Sequence, residues 1–190
     1  MRGTDRKGMF EIRFHGRGGQ GVVLASTVLA SAFFKEGKFV QAFPSFGAER
    51  RGAPVIAYTR VSGQEICIRF GIYHPDCVIV LDPSLTKQRD ITSGLKEGHW
   101  IIMNTDKNPE DYPSLNIYRV ATIDANSIAR KYGLGSPSMP IINTTILGAF
   151  PKVTQRVSID SILDAIRENS PSKPEENAQA ALDAYGKVTF

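Results

Sequence analysis

The feature that most constrains this chain is the run His15-Gly16-Arg17-Gly18-Gly19-Gln20-Gly21, in which Gly16, Gly18 and Gly21 satisfy G-x-G-x-x-G. Ahead of it, Met9 to His15 alternates Phe10, Ile12 and Phe14 with Glu11, Arg13 and His15, the period of a strand. Behind it, Val22 to Lys35 holds no Gly or Pro and is rich in Ala, Val and Leu, which predicts a largely buried helix stopped by Gly37. Lys38 to Phe43 predicts a second strand, so the chain opens as strand, loop, helix and strand with a right-handed crossover. In that setting the motif has a mechanism. Glycines let backbone approach a phosphate, and the helix start offers free N–H groups and a positive dipole end. The same glycines would also serve a tight turn and close helix–sheet packing.

Two familiar uses of such a loop are disfavoured. A dinucleotide site wants an acid about twenty residues further on, at the end of the second strand, to bind a ribose hydroxyl. Here that strand ends in Phe43-Pro44; Glu36 precedes it and Glu49 lies beyond the next loop. No Gly-Lys-Ser/Thr follows the glycines, which argues against a nucleoside triphosphatase.

The rest of the chain reads as one α/β domain over residues 9–190 behind an N-terminal extension of residues 1–8. The fold class is Rossmann-like, with a mixed, mostly parallel sheet, a β-hairpin and helices on both faces. The hairpin is predicted from two alternating runs, Pro54 to Val61 and Gln64 to Phe70, around Ser62-Gly63. Cys77 to Leu81 predicts a central strand buried on both faces, and His99 to Asn104 and Asn116 to Thr122 predict two more. A short helical segment is expected between Ser84 and Leu95. Asp124 opens a helix to about Tyr132, and Ile141 to Phe150 forms an apolar segment. Ser158 caps a helix reaching Arg167, and Ser172 and Pro174 open a last helix closed by Gly186.

Composition narrows the function by exclusion. A net charge of +4 without a Lys/Arg run or basic helix gives no nucleic-acid footprint. The cluster of Arg50, Arg51 and Arg60 suits a small phosphorylated ligand better than a duplex. No apolar stretch reaches membrane-span length, and the charged N-terminus lacks a signal core, so a cytoplasmic location is the default expectation. Two cysteines, Cys67 and Cys77, are too few for an iron–sulfur cluster, which generally takes four thiolates. Both are expected to be buried free thiols.

Three passages go beyond a generic glycine loop. His15 to Val23 is the first. Gln41-Ala42-Phe43-Pro44-Ser45-Phe46-Gly47-Ala48-Glu49-Arg50-Arg51-Gly52-Ala53-Pro54 is the second, and Asn143-Thr144-Thr145-Ile146-Leu147-Gly148-Ala149-Phe150 the third, joined by the Glu176-Asn177 start of the last helix. Together they resemble the gamma subunit of the 2-oxoacid:ferredoxin oxidoreductases, from about Phe10 to Tyr185. The resemblance implies a subunit that is inactive alone, within a complex converting a 2-oxoacid and coenzyme A into acyl-CoA and carbon dioxide. It implies alpha, beta and delta partner subunits, with electrons passing to ferredoxin. Thiamine diphosphate with Mg and the iron–sulfur clusters are expected on those partners, none on this chain. The gamma chain is expected to pack against them and to help form the coenzyme A side of the site. An exposed interface patch on the lone subunit would favour a homodimer.

The residues toward coenzyme A are then Gly16, Arg17, Gly18, Gly19, Gln20, Gly21, Ser45, Phe46, Glu49, Arg50, Arg51, Asn143 and Thr144. No residue of this chain is assigned a catalytic or metal-binding role. Arg17, Arg50 and Arg51 carry the planar fork that suits phosphate oxygens, or one of them pairs with Glu49 to hold the loop. Gln20 and Ser45 can bond a ligand or cap their own turns. Phe43 and Phe46 suit either a subunit interface or the core. His15 is expected to be a hydrogen-bonded structural histidine, and His74 and His99 lack companions at metal spacing. Two other functions stay open: a free-standing module for a nucleotide or phosphorylated metabolite, and a purely structural scaffold subunit.

Overall fold

The computed structural model describes residues 8–45, 52–88 and 91–190. Strand β1 (Phe10–Arg17) leads through the glycine loop into helix α1 (Val22–Lys35), the helix bounds expected from its flanking glycines. Ala25, Val28, Leu29 and Ala32 are fully buried, and their spacing puts them on one helical face. β2 (Phe39–Pro44) follows, then β3 (Pro54–Ser62), β4 (Cys77–Val80), the short α2 (Leu85–Gln88), β5 (Trp100–Asn104) and β6 (Arg119–Ile123). Helices α3 (Ala125–Lys131), α4 (Ala149–Thr154), α5 (Ile159–Asn169) and α6 (Pro174–Lys187) complete the order. Asp124 caps α3 by accepting from Ser127 N–H, and Ser158 caps α5 by accepting from Ser161 N–H.

The six strands form one mixed sheet in the order β2-β3-β1-β4-β5-β6. β1, β4, β5 and β6 are parallel neighbours, while β3 runs antiparallel to both β1 and β2. β3 therefore separates β1 from β2, and the opening crossover skips a strand. One face of the sheet, with Ile12, Phe14, Ile79 and Ile102, packs on α1 and the helices α3 to α6. The other, with Val78, Val80, Ile101 and Met103, is covered by α2, Ile91, Leu95 and Leu115. β4 is buried on both faces, as its unbroken apolar run predicts.

The hairpin expectation fails. Both edges of β3 are already taken, by β1 and by β2, so residues 64–70 have no edge to join and form no strand. That segment is held by side chains instead. The Arg60 guanidinium donates to the carbonyls of Phe70 (2.5 Å) and Gly71 (3.2 Å), and Gln41 Nε2 donates to Ile66 O (3.0 Å). Arg60 is accordingly no part of a ligand-facing basic cluster. It is fully buried and pairs with Glu11 at 2.7 Å. Cys77 is buried as expected, and burial beside the Asp76 charge pushes its thiol up; Cys67 is exposed, because it lies on the segment that fails to pair.

The last helix also differs from expectation at both ends. Its N-cap is Lys173 in a left-handed conformation, φ 50°, in place of Ser172. It runs past Gly186 to Lys187, where Val188 turns extended so that Thr189 can exchange two backbone bonds with Thr122 of β6 (2.8 and 3.0 Å). Phe190 then meets the Trp100 ring edge-on at 5.6 Å, so the C-terminal residues lie along the outer edge of β6. The N-terminal extension falls outside the described residues apart from Gly8.

Candidate functional site

The glycine loop sits at the C-terminal end of β1, beside the corresponding end of β4. Its exit is braced by Gln20, whose N–H donates to Arg17 O (3.0 Å) and whose Oε1 accepts from Arg17 N–H (2.7 Å). Gly18 N–H donates to Ala53 O (2.9 Å), and Gly52 N–H returns to Gly18 O (3.1 Å), so the loop is clasped to the entry of β3. Two glycines are required by space. A Cβ on Gly16 would lie 2.5 Å from Val22 Cγ2, and one on Gly21 would lie 2.2 Å from Asn143 Nδ2. Gly21 also has φ 73°, which L side chains rarely adopt.

Gly21 is the N-cap of α1 and has no side chain to cap it; the first intrahelical bond is Ala25 N–H to Gly21 O at 2.9 Å. The N–H groups of Val22, Val23 and Leu24 thus have no intrahelical acceptor, and the positive end of a 14-residue helix has no side-chain cap. A cleft of about 400 Å³ opens there, lined by Gly19, Gln20, Gly21, Leu24, Asn143 and Thr144 on one side and by Gly133–Gly135 and Ser170–Lys173 on the other.

Asn143, 4% exposed, reaches this cleft with a donor to spare. Its Oδ1 accepts from Thr144 N–H (2.9 Å), while Nδ2, beside Gly21, has no acceptor among the described residues. The Asn143 amide can therefore donate into the cleft. Thr144 points the other way, donating from Oγ1 to Asn177 Oδ1 at 2.5 Å; Asn177 Nδ2 in turn donates to the carbonyls of Ser172 (3.0 Å) and Lys173 (2.8 Å). Asn177 therefore ties the Asn143-Thr144 corner to the start of α6. Lys173 Nζ closes the far wall on Gly133 O at 2.7 Å. Asn177 and Lys173 were absent from the sequence-derived residue set. The available signal was a polar residue on the otherwise alanine-lined buried face of α6.

A second cleft of about 830 Å³ adjoins the first across Gly19, Gln20 and Ile141, and Arg17 and Gly18 line it with Arg130 and Ser136. The Arg17 guanidinium bonds Asp82 (2.6 Å), Ser84 Oγ (2.8 Å) and Gly52 O (3.1 Å), so among the described residues it pairs with Asp82, on β4's exit. Ser45 lines neither cleft; its N–H donates to Ile56 O at 2.8 Å at the end of β2. Phe46, Glu49, Arg50 and Arg51 lie outside the described residues. Phe43 packs on Tyr58 at 5.1 Å with the Arg60 guanidinium 5.2 Å from its ring centroid. His15 is buried and accepts from Arg13 Nε at Nε2 (2.9 Å), a structural role.

Fold and cleft together define an α/β domain whose glycine loop opens on a cleft at an uncapped helix start, with no acid along β2. A family model described as pyruvate ferredoxin/flavodoxin oxidoreductase matches residues 11–187. The common gamma subunit of the pyruvate and ketoisovalerate oxidoreductases of Thermococcus kodakarensis is 51% identical over 184 residues, with 95% of this chain and 97% of that one covered. Pyruvate synthase subunit PorC of Methanothermobacter marburgensis is 49% identical over 181 residues, covering 95% and 98%. The crystal structure of the pyruvate oxidoreductase subunit PORC of Thermotoga maritima superposes with a TM-score of 0.80 at 34% identity, covering 96% and 98%. This chain belongs to the pyruvate ferredoxin/flavodoxin oxidoreductase family, in its gamma-subunit (PorC) class.

Among the described residues no group of three His, Cys, Asp or Glu side chains could hold a metal ion, and no helix is long and apolar enough to cross a membrane. One exposed and one buried thiol do not fit an iron–sulfur cluster, which generally takes four thiolates.

Proposed function

We propose that this chain is the gamma subunit of a complex that oxidatively decarboxylates a 2-oxoacid to acyl-CoA, and that it supplies the coenzyme A side of the site. Thiamine diphosphate and the clusters then belong to alpha, beta and delta partners, with ferredoxin as electron acceptor. The observation that carries the proposal is the meeting of two sets of donors in one cleft: the uncapped start of α1 and the Asn143 side-chain amide beside Gly21. Both suit the diphosphate of coenzyme A, whose oxygens accept hydrogen bonds and carry negative charge. Arg50 and Arg51 follow β2 and precede Gly52, which is clasped to Gly18, and are proposed to add their guanidinium forks to the same ligand.

This division of labour also accounts for substrate choice. The relative from Thermococcus kodakarensis is by name common to a pyruvate and a ketoisovalerate enzyme. A subunit shared by two such enzymes does not discriminate their oxoacids, so the selecting pocket is proposed to lie on the partners.

Asn143→Asp tests the cleft. The new carboxylate keeps an acceptor for Thr144 N–H but replaces the free donor with a negative charge. In the assembled complex, assayed by reduction of a ferredoxin substitute, the apparent KM for coenzyme A is expected to rise by about tenfold to a hundredfold. The KM for the oxoacid should stay put. An unchanged coenzyme A KM would overturn the assignment and leave a scaffold role.

A further inference from the structure

We infer that Asp82 is a positioning residue of the coenzyme A site: through Arg17 it clasps the glycine loop, the end of β4 and the exit of the segment ending at Pro54 into one unit. The inference rests on the coenzyme A assignment proposed above.

β1 and β4 are parallel neighbours whose chains leave in opposite directions. β1 feeds α1, which packs into one core, and β4 feeds α2, whose Leu85 packs into the other. A crevice at the carboxyl ends of two such strands is where open α/β sheets bind ligands. Among the described residues the last backbone bond between the two strands is Leu81 N–H to His15 O at 2.8 Å. Beyond it, the Arg17–Asp82 pair joins the two departing loops. Arg17 Nε meets Asp82 Oδ2 at 2.6 Å, with side chains 24% and 17% exposed. Asp82 Oδ1 accepts from Ser84 N–H (2.9 Å) and Ser84 Oγ (2.6 Å), and that hydroxyl accepts from Arg17 Nη2 (2.8 Å).

The third arm reaches the segment that carries Arg50 and Arg51. Arg17 Nη1 donates to Gly52 O at 3.1 Å, beside the two backbone bonds joining Gly18 to Gly52 and Ala53. Arg17 thus aligns the loops of the site, with three of its guanidinium N–H groups on Asp82, Ser84 and Gly52. Burial alone would raise the Asp82 carboxyl. Hydrogen bonds from the Ser84 hydroxyl and amide, with the Arg17 guanidinium, more than offset it and hold the group below its usual range. The clasp is thus charged throughout neutral pH and dissolves only as pH falls below the ordinary aspartate value.

The test is a cycle of Asp82→Asn, Arg17→Gln and the double variant in the assembled complex. Each single variant is expected to raise the apparent KM for coenzyme A about tenfold, with kcat at saturating coenzyme A and the oxoacid KM within about twofold of wild type. Because both residues act through one bond, the double variant should be no worse than either single one. Should Asp82→Asn fail to assemble, Ser84→Ala removes one arm only, and a rise of about threefold is expected. An unchanged coenzyme A KM in the Asp82 or Ser84 variant, or fold-changes that multiply in the double variant, overturns the clasp. If Asn143→Asp raises that KM while Asp82→Asn does not, the clasp alone is wrong; if Asn143→Asp leaves it unchanged, the coenzyme A assignment itself falls.

Discussion

Replacing Arg60 by alanine is expected to cost about 3–5 kcal/mol of folding stability. Arg60 is fully buried and stands directly across the strand pair from Glu11, itself 4% exposed. Removing the guanidinium takes away the countercharge 2.7 Å from that carboxylate. It also strips donors from the carbonyls of Phe70 and Gly71 and a cation from between the rings of Phe43 and Phe70, 5.2 and 5.4 Å from its centre. The segment over residues 64–71 should then become protease-sensitive. Denaturant unfolding of the purified chain measures the loss. The double variant Arg60→Met/Glu11→Gln removes both charges at similar volume and should recover most of it. If Arg60→Ala unfolds like wild type, the pair is ornamental.

The second large effect is expected at Gly148, and its cause is space. The residue has ordinary helical torsions, φ −60° and ψ −30°. A Cβ there would lie 1.8 Å from Ala181 O and 2.6 Å from its carbonyl carbon, within the backbone of α6. Ile146, Leu147, Ala149, Phe150, Ala180, Ala181 and Ala184 around it are all fully buried, so neither element can step aside cheaply. Gly148→Ala should cost about 3 kcal/mol or more, seen as a fall in Tm of about 6–12 °C for a chain of this size. It should also pull Asn177 from Thr144, since both contacts join the same two elements. Gly186→Ala is the counter-test. Nothing lies within 4 Å of a Cβ at that position inside α6, so the better helix former should be neutral or stabilise by up to about 1 kcal/mol.

What the sequence made legible, and what it hid, follows from how far apart the determining residues lie. The bounds of α1 were readable because glycines flank it, and the caps of α3 and α5 because Asp124 and Ser158 act on an N–H three residues on. The false hairpin came from an alternating run that is locally as good as any strand. Its failure depends on β1 and β2 having occupied both edges of β3, which no local pattern expresses. The site divides the same way. Asn143 was singled out by resemblance and does meet the glycine loop. Its link to Asn177 joins residues 33 apart through Thr144, and the Arg17–Asp82 pair spans 65, distances over which no local pattern speaks. Arg60 was misread because a buried arginine in a strand carries the same letter as a phosphate-binding one.

The C-terminal residues give the sheet a polarity of growth. With Thr189 bonded to Thr122, the row of backbone donors and acceptors along β6 is interrupted from within the chain, while β2 keeps its outer row along Phe39–Pro44 among the described residues. Fibrils grow when both margins of a sheet can recruit. A sheet stoppered at one margin leaves strand addition to the opposite margin. The two backbone bonds of Thr189 and the Phe190 ring against Trp100 are what keep that stopper in place.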